Sequence, residues 1–186
     1  MGSSGWMGKA WFEIAGLEVR LLGPADGGAL DELYFACADF VEMAEGRAPA
    51  AGDGLNLLSA RPEGLTLENK LLFGLFDSGR LIGAIDLLRD YPKRRRWYLG
   101  LMIFAPTSRN RGSGTLAFKA LRTWVLSQGG QSIRLIVQSQ NPQALEFWLR
   151  QGFSNVGTAI HQGDAKENQV HQLELTLVPP MISEPT

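Results

Sequence analysis

The segment Arg109-Asn110-Arg111-Gly112-Ser113-Gly114 lies between an apolar run, Leu99 to Phe104, and an amphipathic run that begins near Thr115. Glycines without a Cβ let a backbone wrap tightly around a ligand. A helix starting at Thr115 would point its free N–H groups and the positive end of its dipole into that loop. Strand, glycine loop and helix N-terminus together are a physical recipe for holding phosphate oxygens. A tight strand-to-helix turn with a solvated arginine pair is the alternative. Gly112-x-Gly114-x-x-Ala117 also matches a loose dinucleotide pattern, but the next strand ends Val137-Gln138-Ser139-Gln140 without the acid that a ribose needs. Gly114 is followed by Thr115-Leu116, so the lysine of a triphosphate-binding loop is missing.

The surrounding pattern narrows the fold. Leu17 to Leu22 reads as a strand, and Asp26 as the N-cap of a helix running to about Glu45. A loop, Gly46 to Gly54, precedes a short helix, Leu55 to Ala60. Apolar runs Lys70–Asp77 and Arg80–Arg89 around Ser78-Gly79 form a hairpin signature, and Arg96–Phe104 adds a third strand. Thr115–Gln128 is an amphipathic helix and Ile133–Val137 a short strand. Asn141-Pro142 opens a helix that Gly152 ends, and Ser154–His161 and Val170–Val178 are the last strands. Such an order favours one mixed sheet covered by helices. We expect a flexible leader over 1–16, one domain over 17–178 and a tail over 179–186.

Composition excludes several function classes. The net charge of −1 gives no whole-chain attraction to nucleic acid or anionic membranes. No apolar stretch approaches the roughly 20 residues of a membrane span, and a cytoplasmic location is the default expectation. The single cysteine, Cys37, shares an apolar stripe with Leu33, Phe40 and Val41 and reads as core. His161 and His171 lack the spacing of a metal site, so no metal is expected. Lys93 to Arg96 is a basic run that reads as a solvated turn.

A second constellation gives the loop its meaning. Asn141-Pro-Gln-Ala144-Leu-Glu-Phe147-Trp148-Leu-Arg-Gln-Gly152-Phe153 follows at the distance of one helix and one strand. The loop resembles the Arg/Gln-x-x-Gly-x-Gly/Ala motif of the GNAT superfamily of acyl-CoA-dependent N-acyltransferases. The second segment is similar to that family's Asn-x-x-Ala, aromatic pair, Gly-Phe motif. The stretch Ile82 to Pro92 followed by Trp97 to Leu101 resembles a bacterial subgroup. The resemblance implies an α+β (α/β) fold: a mixed central β-sheet with splayed central strands, flanked by helices on both faces. It implies acetyl-CoA as co-substrate and a small-molecule or peptide amine as acceptor, with a homodimer as one option. Arg109, Asn110, Arg111, Gly112, Ser113, Gly114 and Thr115 would hold the pyrophosphate, the two arginines adding charge. Backbone groups of Met102, Ile103 and Phe104 would pair with the pantetheine arm, beside Asn141, Ala144, Phe147 and Trp148. Asn141 reads equally as a helix N-cap.

The sequence departs from the family where protons move. Trp148 stands where many members carry a general-acid tyrosine, and the strand 97–104 lacks the glutamate that often serves as base. Asp86, on the face shared with Ala84 and Leu88, is the best acidic candidate. Burial would raise its pKa and suit a base. Asp90 and Tyr91 are weaker candidates at the acceptor end. The expected activity is acetyl-CoA-dependent N-acetyl transfer to a primary amine. A non-catalytic coenzyme-A-binding sensor or interaction module is the alternative, motivated by the missing tyrosine and glutamate.

Overall fold

The computed structural model describes residues 11–177. Its seven strands are β1 (Glu18–Leu21), β2 (Lys70–Asp77), β3 (Arg80–Leu88), β4 (Arg96–Phe104), β5 (Ser132–Gln138), β6 (Ser154–Gln162) and β7 (Glu167–Thr176). They form one sheet in the order β1-β2-β3-β4-β5-β7-β6, antiparallel except for the central β4–β5 pair. Five α-helices cover it: α1 (Gly27–Ala36), α2 (Ala38–Glu45), α3 (Asp53–Ser59), α4 (Ser113–Ser127) and α5 (Pro142–Arg150).

Local chemistry sets the register. Ser78 and Gly79 both adopt positive φ, 50° and 79°, the backbone of the tight hairpin turn that matches strand twist. This turn leads into the pairing that places Leu72 opposite Asp86 and Lys70 opposite Leu88. Alternation then divides the sheet between two cores. Phe73, Leu75, Ile85, Leu87, Trp97 and Leu99 meet Phe118, Leu121 and Trp124 of α4 and Trp148 of α5. Leu72, Ala84 and Ile103 meet Leu30 and Leu33 of α1 and Cys37 on the opposite face.

Two irregularities open the centre of the sheet. The parallel β4–β5 pair holds for only three positions, Arg96↔Ser132, Trp97↔Ile133 and Tyr98↔Arg134, after which the strands part. Against β3, β4 carries a bulge at Gly100: Asp86 faces Leu101, while Leu87 faces Leu99. A Cβ on Gly100 would lie 3.0 Å from Asp86 Oδ2.

The structure corrects some expected boundaries. The long first helix is two helices that meet at Cys37, whose N–H is shared between Leu33 O and Tyr34 O at 3.0 Å each. Cys37 is fully buried, as its apolar stripe predicts. Helix α3 begins at Asp53 rather than Leu55. The Asp53 carboxylate accepts the Ala50 N–H, and Asp31 of α1 accepts the N–H groups of Gly52 and Gly54. The assignment of residues 1–16 to a flexible leader does not hold for its last part. Phe12 and Ile14 are buried, and Phe12 packs on Phe73 with ring centroids 5.0 Å apart. Residues 1–10 and 178–186, including the end of the last predicted strand and the tail, lie outside the described residues.

Candidate active site

Where β4 leaves β5, two cavities meet. The first, of about 600 Å³, lies among α2, the C-terminal half of β4, the 108–115 loop and α5. Met102, Ile103, Phe104, Arg109, Asn110, Gly112, Gly114, Thr115, Asn141, Ala144, Phe147 and Trp148 all line it. The loop reaches its shape through two left-handed residues, Asn110 (φ 60°) and Gly112 (φ 80°). Gly112 is the N-cap of α4 and offers no side chain to the first-turn N–H groups, which helix geometry leaves without intrahelical partners. A Cβ on Gly112 would meet no heavy atom within 4 Å, whereas one on Gly114 would lie 3.5 Å from the Phe147 ring. Beyond Tyr98 the β4 edge that faced β5 has no strand pairing, which leaves its N–H and C=O groups open to an extended ligand.

Four of the expected site residues differ from the others in partner or position: Arg109 and Asn141 line the cavity but are also held within the protein, and Arg111 and Ser113 lie off it. Arg109 does not direct its charge at the loop. Its guanidinium grips Asp39 of α2 at 2.6 and 3.2 Å and donates to Phe104 O at 2.9 Å, so the carboxylate already neutralises it. The same pair holds the Asp39 carboxyl below the usual carboxylate range. Arg111 is exposed, and neither it nor Ser113 lines the cavity. The α4 N-terminus adds its own positive potential at the loop. Asn141 fills the capping role: its Oδ1 accepts the Ala144 N–H at 3.1 Å, and the residue also lines the cavity. Asn141→Ala should cost about 1 kcal/mol of stability, read as a lower unfolding midpoint in urea.

The second cavity, of about 720 Å³, opens on the α1–α3 side of the sheet. Asp86 lines it and is only 8% exposed. Its Oδ1 accepts from Lys70 Nζ at 2.8 Å, while Oδ2 faces the gap left by Gly100. Burial pushes the Asp86 carboxyl above its ordinary range, and the Lys70 ammonium draws it back. Tyr34, Tyr91 and Tyr98 stand around the same cavity. Burial, with the neighbouring Tyr91 and Asp86, raises the Tyr98 hydroxyl to about 12. Phe40, Met102, Asn141, Ala144 and Trp148 line both cavities and mark their junction.

Comparison with known proteins decides what this pair of cavities belongs to. A sequence profile described as the Acetyltransferase (GNAT) family matches residues 39–153. The chain belongs to the GNAT acetyltransferase family. That membership carries acyl-CoA-dependent N-acyl transfer as its general activity. Solved structures agree on the fold. An acetyltransferase from Thermus thermophilus is 20% identical with a TM-score of 0.70, covering 88% of this chain and 99% of that one. Spermidine N-acetyltransferase from Vibrio cholerae, solved with CoA and spermine, is 18% identical with a TM-score of 0.68, covering 88% and 96%. The ribosomal-protein-S18-alanine N-acetyltransferase of Escherichia coli is 14% identical with a TM-score of 0.64, covering 91% and 98%. Comparison with curated proteins finds no match.

The donor half of this GNAT site suits an acyl-CoA on its own geometry: an uncapped helix N-terminus, a left-handed glycine with open space at its Cβ, and an unpaired strand edge. Among the described residues no cluster of His, Cys, Asp and Glu could hold a metal, and no helix is long and apolar enough to cross a membrane. His161 lines the second cavity, while the Nδ1 of His171 meets Asn155 Nδ2 at 3.1 Å.

Sequence reasoning missed Lys70, Tyr34, Tyr98 and the outer wall of the second cavity. Lys70 was legible: with Leu72 opposite Asp86, a residue two positions earlier is its diagonal neighbour. The wall was not. It forms where the β6–β7 turn is tied to the loop after α2, through Arg47 to Asp53 and Asp164, the Ala165 N–H to Glu45 O, and Asn168 Nδ2 to Ala44 O at 2.7 Å. Gly163 sits so close that a Cβ would be 2.5 Å from Ala44 O. The ties between α2 and the β6–β7 turn span more than 100 positions in sequence and leave no local pattern.

Proposed function

We propose that the chain transfers an acetyl group from acetyl-CoA to a primary amine of a small molecule or peptide, with Asp86 as the base. The observation that carries this reading is the junction of the two cavities at Met102 and Trp148, at the parting of β4 and β5. Backbone N–H groups at the α4 N-terminus bind the pyrophosphate. The free edge of β4 pairs with the pantetheine arm and aims the thioester at the acceptor side. One of its N–H groups polarises the carbonyl oxygen as negative charge develops there.

A primary amine is mostly protonated at neutral pH and attacks only after losing a proton. Asp86 accepts that proton through Oδ2, directly or by way of a water, while Lys70 keeps Oδ1 occupied. The amine nitrogen then forms a bond to the carbonyl carbon, the carbon–sulfur bond breaks, and the sulfur leaves with its electron pair. The second nitrogen proton passes to the departed thiolate or to solvent water, which completes the amide. Trp148 has no proton to give, so the sulfur departs as thiolate. Its pKa of roughly 8.5, near that of a cysteine, makes departure without an acid feasible.

Acetyl-CoA at about a hundred times its Kd should stabilise the protein by about 2.7 kcal/mol, a rise of several degrees in Tm. Gly114→Leu places a side chain against Phe147 on the cavity wall and should abolish most of that rise. Thiol release that depends on an added amine would support the enzyme. A Tm rise with no thiol release from any primary amine would favour the sensor module instead.

A further inference from the structure

The acceptor cavity has a chemistry of its own. Much of its wall is rings and aliphatic chains: Tyr34 of α1, Leu57 of α3, Tyr91 of the β3–β4 connection, Tyr98 and Leu101 of β4, and Ile160 of β6, with Gln138, His161 and Gln172 as neutral polar groups. Tyr91 and Tyr98 meet edge to face, with centroids 5.8 Å apart. The charged groups at the cavity are mostly spent within the protein. Asp86 holds Lys70, and Arg134 is bound to Glu174 at 2.9 Å. Arg61 donates to the carbonyl oxygens of Leu65 and Ser59, and Glu45 accepts the Asp164 N–H. Glu45 is then the one lining carboxylate, among the described residues, that no cation faces at ion-pair distance.

A polyamine or aminoglycoside carries several ammonium groups, and each needs a carboxylate or loses its hydration uncompensated. Beyond Asp86, already paired with Lys70, this cavity offers Glu45 as its one further carboxylate among the described residues, fewer than the ammonium groups of a polycation. An amine on one apolar arm loses little and gains burial against the tyrosine rings, whose faces also attract the single ammonium before it is deprotonated. Resting on the acetyltransferase reading above, we infer that the acceptor is a primary amine carried on an aromatic or branched aliphatic arm, not a polycation. The amine sits beside Asp86 at the β4 bulge, and the arm lies along Tyr34, Tyr91 and Tyr98.

The test measures thiol release by the full chain with acetyl-CoA and four acceptors: 2-phenylethylamine, 3-methylbutylamine, spermidine and kanamycin. The two apolar amines should exceed the two polycations in kcat/KM by about 10-fold or more, the scale of burying one ring or branched chain. Tyr98→Ala and Tyr34→Ala should each lower kcat/KM for 2-phenylethylamine by about 10-fold, mainly through KM, and change spermidine turnover little. Two variants on separate elements guard against a folding defect in either. Spermidine or kanamycin turned over as well as the apolar amines would overturn the inference and leave the acetyltransferase reading standing. A Tm rise with acetyl-CoA but turnover of no amine would overturn both.

Discussion

Asp86→Asn should lower kcat/KM for acetyl transfer by about 100- to 10,000-fold, the usual worth of a positioned base. The Tm rise given by acetyl-CoA should persist, because Asp86 lines the acceptor cavity and not the donor cavity. An asparagine Oδ1 can still accept from Lys70 Nζ, but the buried ammonium loses its counter-charge, so the variant should also be less stable and is assayed well below its lowered Tm. Lost rate with retained donor binding is the signature of a proton carrier, since a collapsed site would lose both. The pH dependence follows from the same carboxyl. Burial raises its pKa, and only the ionised form can take a proton from the amine. In the wild type kcat/KM should fall as pH drops through a value above the ordinary carboxylate range. The asparagine variant should lack that acidic limb. Unchanged turnover in Asp86→Asn would remove Asp86 from the chemistry.

Much of this site was legible in the sequence because its determinants are local. Glycine at 112 answers a φ of 80°, Asn141-Pro142 opens α5 as a cap and first helical residue should, and the hairpin at Ser78-Gly79 fixes which residues of β2 and β3 are neighbours. The parting of β4 from β5 carries no such mark. Leu99 to Phe104 reads as a buried central strand whether or not β5 continues beside it, and the family resemblance supplied what periodicity could not. The Arg109–Asp39 pair is hidden from the sequence for a related reason. Asp39, which pairs with Arg109, is 70 positions away on α2, and no local pattern links the two.

Breaking the Lys70–Asp86 pair from the other side should have the largest effect on stability. Lys70 is 2% exposed at its side chain and Asp86 11%, with Nζ and Oδ1 2.8 Å apart. Lys70→Met removes the cation and leaves a carboxylate in an apolar setting between Leu72 and the bulge, at an expected cost of about 3–5 kcal/mol. For a chain of this size that is a fall in Tm on the order of 10 °C. The loss should depend on pH in a definite sense. Without the ammonium the carboxyl pKa rises further, and a group whose folded pKa is raised favours folding only while it is protonated. The gap between wild type and Lys70→Met should therefore be wider at about pH 8 than at about pH 5. The double variant Lys70→Met/Asp86→Leu should regain most of the stability, because an apolar pair has no charge to strand. It should have no activity, since the base is gone. A pair kept for stability alone gains nothing over its apolar replacement. On the proposed mechanism the pair has another use: Asp86 takes the proton of the amine, and the Lys70 ammonium keeps its carboxyl ionised.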